Sequence, residues 1–116
     1  MERSIEALQE AMREFALARE WDQFHTPKNL ATALSVEAAE LLEHFQWLTD
    51  AQSQALDESK RAAVAEEIAD VLLYLIRFAD KLGIDPIEAA WKKLEVNASK
   101  YPVDLARGNS KKYTEL

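Results

Sequence analysis

The sequence contains no cysteine, and only two glycines and three prolines stand among its 116 residues. The missing cysteines exclude disulfides, thiolate metal sites and cysteine nucleophiles. So little glycine and proline argues against a turn-rich all-β chain and cannot build a glycine-rich phosphate loop. Apolar residues make up 48% of the chain, but no run approaches the roughly 18 that a membrane span needs. The N-terminal segment also lacks the apolar run of a signal peptide, so we expect a cytoplasmic protein without a membrane partner.

Positive charge is scarce in most of the chain. There are 14 Lys and Arg against 21 Asp and Glu, which gives a formal net charge of −7. Residues 91–116 carry six basic and three acidic side chains, which leaves −10 on the first 90 residues. An acidic body repels a nucleic-acid backbone, so we expect no nucleic-acid partner. The same balance suits a carboxylate cluster that holds cations, beside a basic segment that could contact phosphate.

Helical spacing of apolar residues dominates the chain. It predicts four helices, at about residues 5–21, 27–48, 57–82 and 85–99. Thr26-Pro27 and Asp85-Pro86 are typical helix starts, and Gly83 suits the end of a helix. We therefore expect an all-α protein, a four-helix bundle, with residues 1–100 as the helical domain and 101–116 as an extended C-terminal tail.

Two helices carry acidic pairs at the edge of their apolar stripe. Glu37 and Glu40 lie three residues apart on the second helix, and Glu67 and Asp70 do so on the third. Acids at this spacing repel each other unless they are solvated, paired with bases or joined by cations. Pairing is disfavoured because no Lys or Arg occurs between residues 31 and 59. If the two pairs face each other, the all-oxygen site favours Mg²⁺, or Mn²⁺.

Other interpretations of these residues stay open. Such acidic pairs also occur on solvated helix faces, so a non-catalytic helical module that binds metal or a partner is an alternative. The aromatic residues near the acids could stack on a flat base or simply anchor the core. A di-iron oxidase is disfavoured, because neither His25 nor His44 completes the Glu-x-x-His pattern.

With these flanking residues, the chain resembles the MazG-like all-α nucleoside triphosphate pyrophosphohydrolases, of the dCTP pyrophosphatase type. The family pattern is E-x-x-E followed by E-x-x-D, here Glu37-Ala-Ala-Glu40 and Glu67-Ile-Ala-Asp70. The flanks that make it specific are residues 19–25 (REWDQFH), 27–30 (PKNL), 45–47 (FQW) and 70–75 (DVLLYL). The tail, from Lys100 to Thr114, is similar to the end of that type as well.

The resemblance implies hydrolysis of a nucleoside triphosphate between its α- and β-phosphates. By the matching positions Glu37, Glu40, Glu67 and Asp70 would bind Mg²⁺ and carry catalysis. Positions that surround the nucleotide in the family are matched by Trp21, His25, Trp47, Tyr74, Lys93 and Asn97. We expect dCTP or a 5-modified dCTP as the substrate, cleared from the nucleotide pool; dUTP or a non-standard purine triphosphate is the alternative.

Two further expectations concern specificity and assembly. A family histidine of the first helix falls at Met12 here, and Met cannot donate a hydrogen bond to a base. His44 stands at a position that is usually apolar in the family. The resemblance also implies a homodimer or a homotetramer formed as a dimer of dimers.

Overall fold

A computed structural model describes residues 3–116, and its regular secondary structure in that range is all helical, with no strand. The first two residues of the predicted helical domain lie outside it. The helices are α1 (Ile5–Ala18), α2 (Pro27–Glu43), α3 (Asp50–Ser53), α4 (Glu58–Lys81), α5 (Pro86–Lys100) and α6 (Val103–Ala106). Short 3₁₀ turns occur at Asp22–Phe24 and Tyr113–Glu115. The all-α prediction is confirmed. The chain divides into two compact units, and the boundary in the sequence falls between Gly83 and Ile84.

In the first unit, α4 packs against both α2 and α1. Each of these helices begins at a polar cap that the sequence supplies. The Ser4, Thr26 and Asp57 side chains accept hydrogen bonds from backbone amides of the first turns of α1, α2 and α4. The core they enclose is small, and its buried apolar residues are Ala16, Leu30, Val64, Ile76 and Ala79.

The first helix ends earlier than its apolar pattern predicts. Helix α1 stops at Ala18, and Glu20 adopts a left-handed backbone with φ 55°. The Glu20 amide donates to the Leu17 carbonyl at 3.1 Å, and the Trp21 amide donates to the Ala16 carbonyl at 2.9 Å. This pair of bonds is a Schellman ending. It turns the chain so that Trp21 and the following 3₁₀ turn leave the helix axis.

The end of α2 also differs from the prediction. The helix stops at Glu43, a series of turns follows, and α3 forms a short helix that the sequence analysis did not predict. Thr49 and Gln52 form a capping box at its start, in which each side chain accepts a hydrogen bond from the other residue's backbone amide. The Gln52 amide donates to Thr49 Oγ1 at 3.1 Å, and the Thr49 amide donates to Gln52 Oε1 at 2.9 Å. A local polar cap therefore starts a helix where the apolar period has already ended.

The second unit contains α5 and the C-terminal segment. Asp85 caps α5, and Pro86 occupies its first position, as predicted. The segment expected to be extended includes α6 and the Tyr113–Glu115 turn. Within it Tyr101 and Tyr113 pack edge to face at 6.1 Å, and the Lys100 ammonium lies 4.6 Å from the Tyr113 ring centre. No helix among residues 3–116 is long and apolar enough to cross a membrane.

Candidate metal centre and adjoining cavity

The packing of α2 against α4 brings acids from both helices together. Carboxylate oxygens of Glu37, on α2, and of Glu67 and Asp70, on α4, all lie within 4.8 Å of one another. Glu40 lies one turn after Glu37 and is half-buried. It is outside this set of three, but its negative charge acts on both Glu37 and Glu67. The structure therefore brings together three of the four acids that the sequence singles out, and the fourth is close enough to act on two of them.

No basic side chain neutralises this cluster. Among residues 3–116, the ion pairs formed involve other acids: Glu10, Asp22, Asp80 and Glu88. Glu37 Oε2 and Glu67 Oε2 are buried, and neither has a hydrogen-bond partner. A buried carboxylate oxygen without a partner is costly, because it has lost water and gained nothing in exchange. Such oxygens are what a bound cation would satisfy.

Burial and crowding favour protonation of the two glutamates. Burial, helped by hydrogen bonding to Glu67 and Glu40 and by their negative charges, raises the pKa of Glu37 to about 7. Burial is also the main cause that raises the pKa of Glu67. When both carboxylates are ionised, their negative charges repel each other. One proton held between them would remove one charge and relieve this repulsion. A divalent cation would relieve it more fully.

The donor set fits a hard cation. It offers only carboxylate oxygens, from two helices, and no histidine or cysteine. Mg²⁺ and Mn²⁺ prefer oxygen ligands, and Mg²⁺ commonly uses one or two carboxylates together with waters and substrate phosphates. The two unpartnered oxygens and the absence of bases fit such an ion.

A cavity of about 360 Å³ adjoins the cluster. Asp70 belongs to both, because it lines the cavity and contributes to the carboxylate set. The other lining residues are Leu8, Ala11, Met12, Phe15, Trp21, His25, Leu73, Tyr74 and Arg77. The lining is mainly apolar and aromatic with a few polar groups, which is typical of a site for a flat organic ring.

Three of the predicted nucleotide contacts line this cavity. They are Trp21, His25 and Tyr74, and Met12 lines it as well. Trp21 packs edge to face against Phe15 with ring centres 5.6 Å apart. Trp47 is 86% exposed and does not line the cavity.

The remaining predicted residues lie elsewhere. Lys93 and Asn97 are one turn apart on α5, in the second unit. Their roles toward a nucleotide, like that of Trp47, stay predictions. His44 is the residue at which α2 ends and is half-buried.

Arg77 is the polar cavity residue that the sequence analysis missed. It is 4% exposed and contacts both the cavity and a group of acids. A signal was present, because Arg77 lies three residues after Tyr74 and seven after Asp70, on the same side of α4. A lone basic residue on an apolar helix face indicates a buried partner.

The comparisons with known proteins decide the family. The MazG-like family matches residues 32–116. The chain belongs to the MazG-like family. This MazG-like chain is 44% identical over 117 aligned positions to dCTP pyrophosphatase 1 of Rattus norvegicus, covering 99% of this chain and 69% of that protein. The same figures hold for dCTP pyrophosphatase 1 of Homo sapiens.

A solved structure agrees with this assignment. The crystal structure of a pyrophosphatase from Archaeoglobus fulgidus superposes with a TM-score of 0.81 and is 46% identical. The match covers 88% of this chain and 95% of that one. The MazG-like fold therefore extends over most of the chain, including the helices that carry the four acids.

Proposed function

We propose that this MazG-like protein hydrolyses dCTP to dCMP and pyrophosphate, with Mg²⁺ as its cofactor. The observation that carries the proposal is the buried pair of unpartnered glutamate oxygens beside a mainly apolar cavity of about 360 Å³. The names of the relatives, 42–44% identical to this chain, support the choice of dCTP. A cytoplasmic location follows as an expectation, because the substrate would be drawn from the nucleotide pool.

The chemistry assigned to the carboxylates is charge control at the triphosphate. Glu37, Glu40, Glu67 and Asp70 would hold Mg²⁺, which when bound neutralises phosphate charge and lowers the pKa of a coordinated water. A carboxylate of the cluster accepts the proton that the attacking water loses. The oxygen of that water bonds to one of the two phosphorus atoms of the α,β-anhydride, in line with the breaking bond to the bridging oxygen. The products are dCMP and pyrophosphate.

The cavity would hold the base. Trp21 and Tyr74 supply aromatic faces, and His25 supplies a polar ring. Stacking on aromatic side chains binds any base, so selectivity needs hydrogen bonds to the base edge. Because Met12 cannot provide one, the described lining leaves this task to the few polar groups present.

The proposed assembly is a homodimer or homotetramer. Large apolar side chains of α5 are exposed within their own unit: Trp91 is 65% exposed and Leu94 58%. Exposed apolar surface of this kind is typical of an association face. Light scattering of the purified protein gives the mass, and a monomer at working concentration would reject the assembly.

The test of the activity is pyrophosphate release from a panel of deoxynucleoside and nucleoside triphosphates with Mg²⁺. We expect dCTP to be the preferred substrate and Glu67→Gln to lower kcat by roughly 100-fold or more. Glu66→Gln is the matched control, since Glu66 is the exposed neighbour on the same helix. It should keep wild-type turnover.

Each other outcome of the panel supports a different function. Preference for dUTP or a non-standard purine triphosphate would keep the chemistry and change the substrate. If no nucleotide yields pyrophosphate and Mg²⁺ still binds, the chain is a non-catalytic metal-binding module. Equal losses in Glu67→Gln and Glu66→Gln would reject the carboxylate cluster as the catalytic site.

A further inference from the structure

Arg77 is a buried charge with three partners. Its Nη2 donates to Asp22 Oδ1 at 2.6 Å, its Nη1 to Asp80 Oδ2 at 3.4 Å, and its Nε to His25 Nδ1 at 3.1 Å. Two carboxylates are enough to neutralise a guanidinium. The bond to the imidazole adds no charge compensation, so it calls for a different explanation.

The bond to His25 fixes where the imidazole carries its proton. A guanidinium only donates and stays charged in proteins, so the nitrogen facing it must be an acceptor. His25 Nδ1 is therefore unprotonated, and the proton of the neutral ring lies on Nε2. No residue among 3–116 accepts a hydrogen bond from Nε2.

The charges around His25 oppose a second proton. Burial, followed by the positive charge of Arg77, lowers the pKa of His25; Asp22 opposes this shift, and Lys81 adds a smaller lowering. The α1 side chains that line the same cavity, Leu8, Ala11, Met12 and Phe15, are uncharged. Asp70 and Tyr74 of α4 line it too. The ring thus remains neutral, with a single donor.

We propose that Arg77 is a positioning residue: it holds His25 in the Nε2–H form, so that this N–H is a fixed donor to an acceptor atom on the edge of the ring bound in the cavity. This proposal rests on the proposed function in one respect only, which is that the ligand is a pyrimidine nucleotide. Cytosine offers such acceptors at O2 and N3. Because Met12 cannot donate a hydrogen bond, the fixed N–H donor of His25 would let the mainly apolar cavity discriminate between aromatic rings by their edge atoms.

The first test is the tautomer of His25 in the free protein, read from imidazole ¹⁵N shifts. The chain has two histidines, and a His44→Gln variant assigns the signals. We expect His25 to show a protonated Nε2 and an unprotonated Nδ1. A protonated Nδ1, or an equal mixture of the two forms, would overturn the proposal. This measurement needs no catalysis.

The second test asks whether Arg77 is the cause. Arg77→Lys keeps a positive charge but loses the planar fork, and Arg77→Met loses both. Arg13→Met is the matched control: Arg13 also pairs with Asp80, at 2.6 Å, but makes no bond to His25. We expect a mixed His25 tautomer in Arg77→Lys and a wild-type tautomer in Arg13→Met. An unchanged tautomer in Arg77→Lys, or the same change in Arg13→Met, would reject the role.

The third test concerns the ligand. Titration with dCMP should shift the His25 Nε2 signal, and deoxyribose 5-phosphate, which lacks the base, should leave it unchanged. For dCTP hydrolysis we expect Arg77→Lys to raise KM roughly three- to tenfold, the range of one hydrogen bond, with a smaller change in kcat. A loss confined to kcat, or equal Nε2 shifts with both ligands, would contradict base recognition.

The outcomes separate this proposal from the proposed function. If the panel yields no pyrophosphate but dCMP shifts Nε2, the hydrolase assignment fails and the positioning role stands. If hydrolysis proceeds normally and His25 has the wrong tautomer, only the positioning role fails. Should Arg77→Met not fold, the wild-type spectrum and Arg77→Lys still decide.

Discussion

At the scale of single residues, Glu37 shows a conflict between stability and function. A glutamine at this position would avoid the repulsion that Glu40 and Glu67 impose, yet the chain places a carboxylate with a buried, unpartnered oxygen there. Burying acids together destabilises a metal-free fold. The gain comes when a cation binds, because the repulsion then becomes attraction.

This conflict gives a pH-dependent prediction for the metal-free protein. The folded state raises the pKa of Glu37 from 4.5 to about 7, so folded protein holds that proton more tightly than unfolded chain does. The stability it contributes is complete below the unfolded pKa and is lost as the pH rises through about 7. In EDTA, the Tm of Glu37→Gln minus the Tm of the wild type should therefore increase as the pH rises from about 5 to about 8.

Glu43→Gln is the control for that measurement. Glu43 is an exposed acid at the end of the same helix, and its substitution should leave the Tm difference flat across the range. If Tm varies with pH in the same way for Glu37→Gln and for the wild type, Glu37 does not titrate as its burial implies.

The same scale shows what the sequence could predict of the site. The four acids are visible because each pair lies beside an apolar stripe, and because no base occurs between residues 31 and 59, where Glu37 and Glu40 lie. His25 and Trp21 were found by resemblance, and both line the cavity. Arg77 shares a side of α4 with Asp70 and Tyr74, but its partners Asp22 and His25 lie 55 and 52 residues away, so no local pattern could name them.

At the scale of elements, the end of α1 contains a correctable strain. Glu20 has a left-handed backbone, with φ 55°, where a side chain costs about 1 kcal/mol or more. Glycine accepts this conformation freely but loses more entropy on folding. We expect Glu20→Gly to raise the free energy of unfolding by roughly 0.5 kcal/mol, measured by urea denaturation.

Glu14→Gly tests the same change inside the helix. Glu14 lies in the middle of α1, so its replacement should lower the free energy of unfolding by about 1 kcal/mol. If Glu20→Gly and Glu14→Gly lower the free energy of unfolding equally, the left-handed turn at Glu20 is not maintained in solution.

The start of α4 offers a second prediction at this scale. Asp57 accepts a hydrogen bond from the Lys60 amide at 2.7 Å and caps the helix that carries Glu67 and Asp70. Asp57→Ala should lower the free energy of unfolding by about 1 kcal/mol in chemical denaturation. Asp57→Ser should lose much less, because serine can also cap the helix. Mg²⁺ affinity should not change, because the cap lies more than two turns from the acids. A matching loss of affinity would mean that the helix start sets the geometry of the cluster.

At the scale of the whole molecule, the metal is expected to stabilise the fold. The formal net charge of −7 leaves the protein rich in acids, and the buried ones stand without bases. A ligand that binds only the folded state adds about 2.7 kcal/mol at a hundredfold excess over its Kd. Mg²⁺ should therefore raise the Tm, and the rise should vanish in Glu67→Gln but not in Glu66→Gln. An identical rise in both variants would indicate nonspecific screening of surface charge.

The sequence by itself determined the helical class, the main helix starts and the four acids. Those features depend on local chemistry: apolar period, capping side chains at Thr26, Asp57 and Asp85, and acids three residues apart. The early end of α1 and the appearance of α3 were not predicted, because a left-handed Glu20 and a Thr49 capping box interrupt or restart a helix independently of the apolar period.

Only the tertiary structure decided which groups share a space. Packing of α2 on α4 brings oxygens of Glu37, Glu67 and Asp70 within 4.8 Å of one another, and two glutamate oxygens are buried there. This packing turns a spacing pattern into a candidate ion site. The fold of the first unit likewise brings Arg77 to His25 and both to one cavity. The physical reason is that burial and charge compensation depend on contacts between distant segments, which no local pattern in the sequence contains.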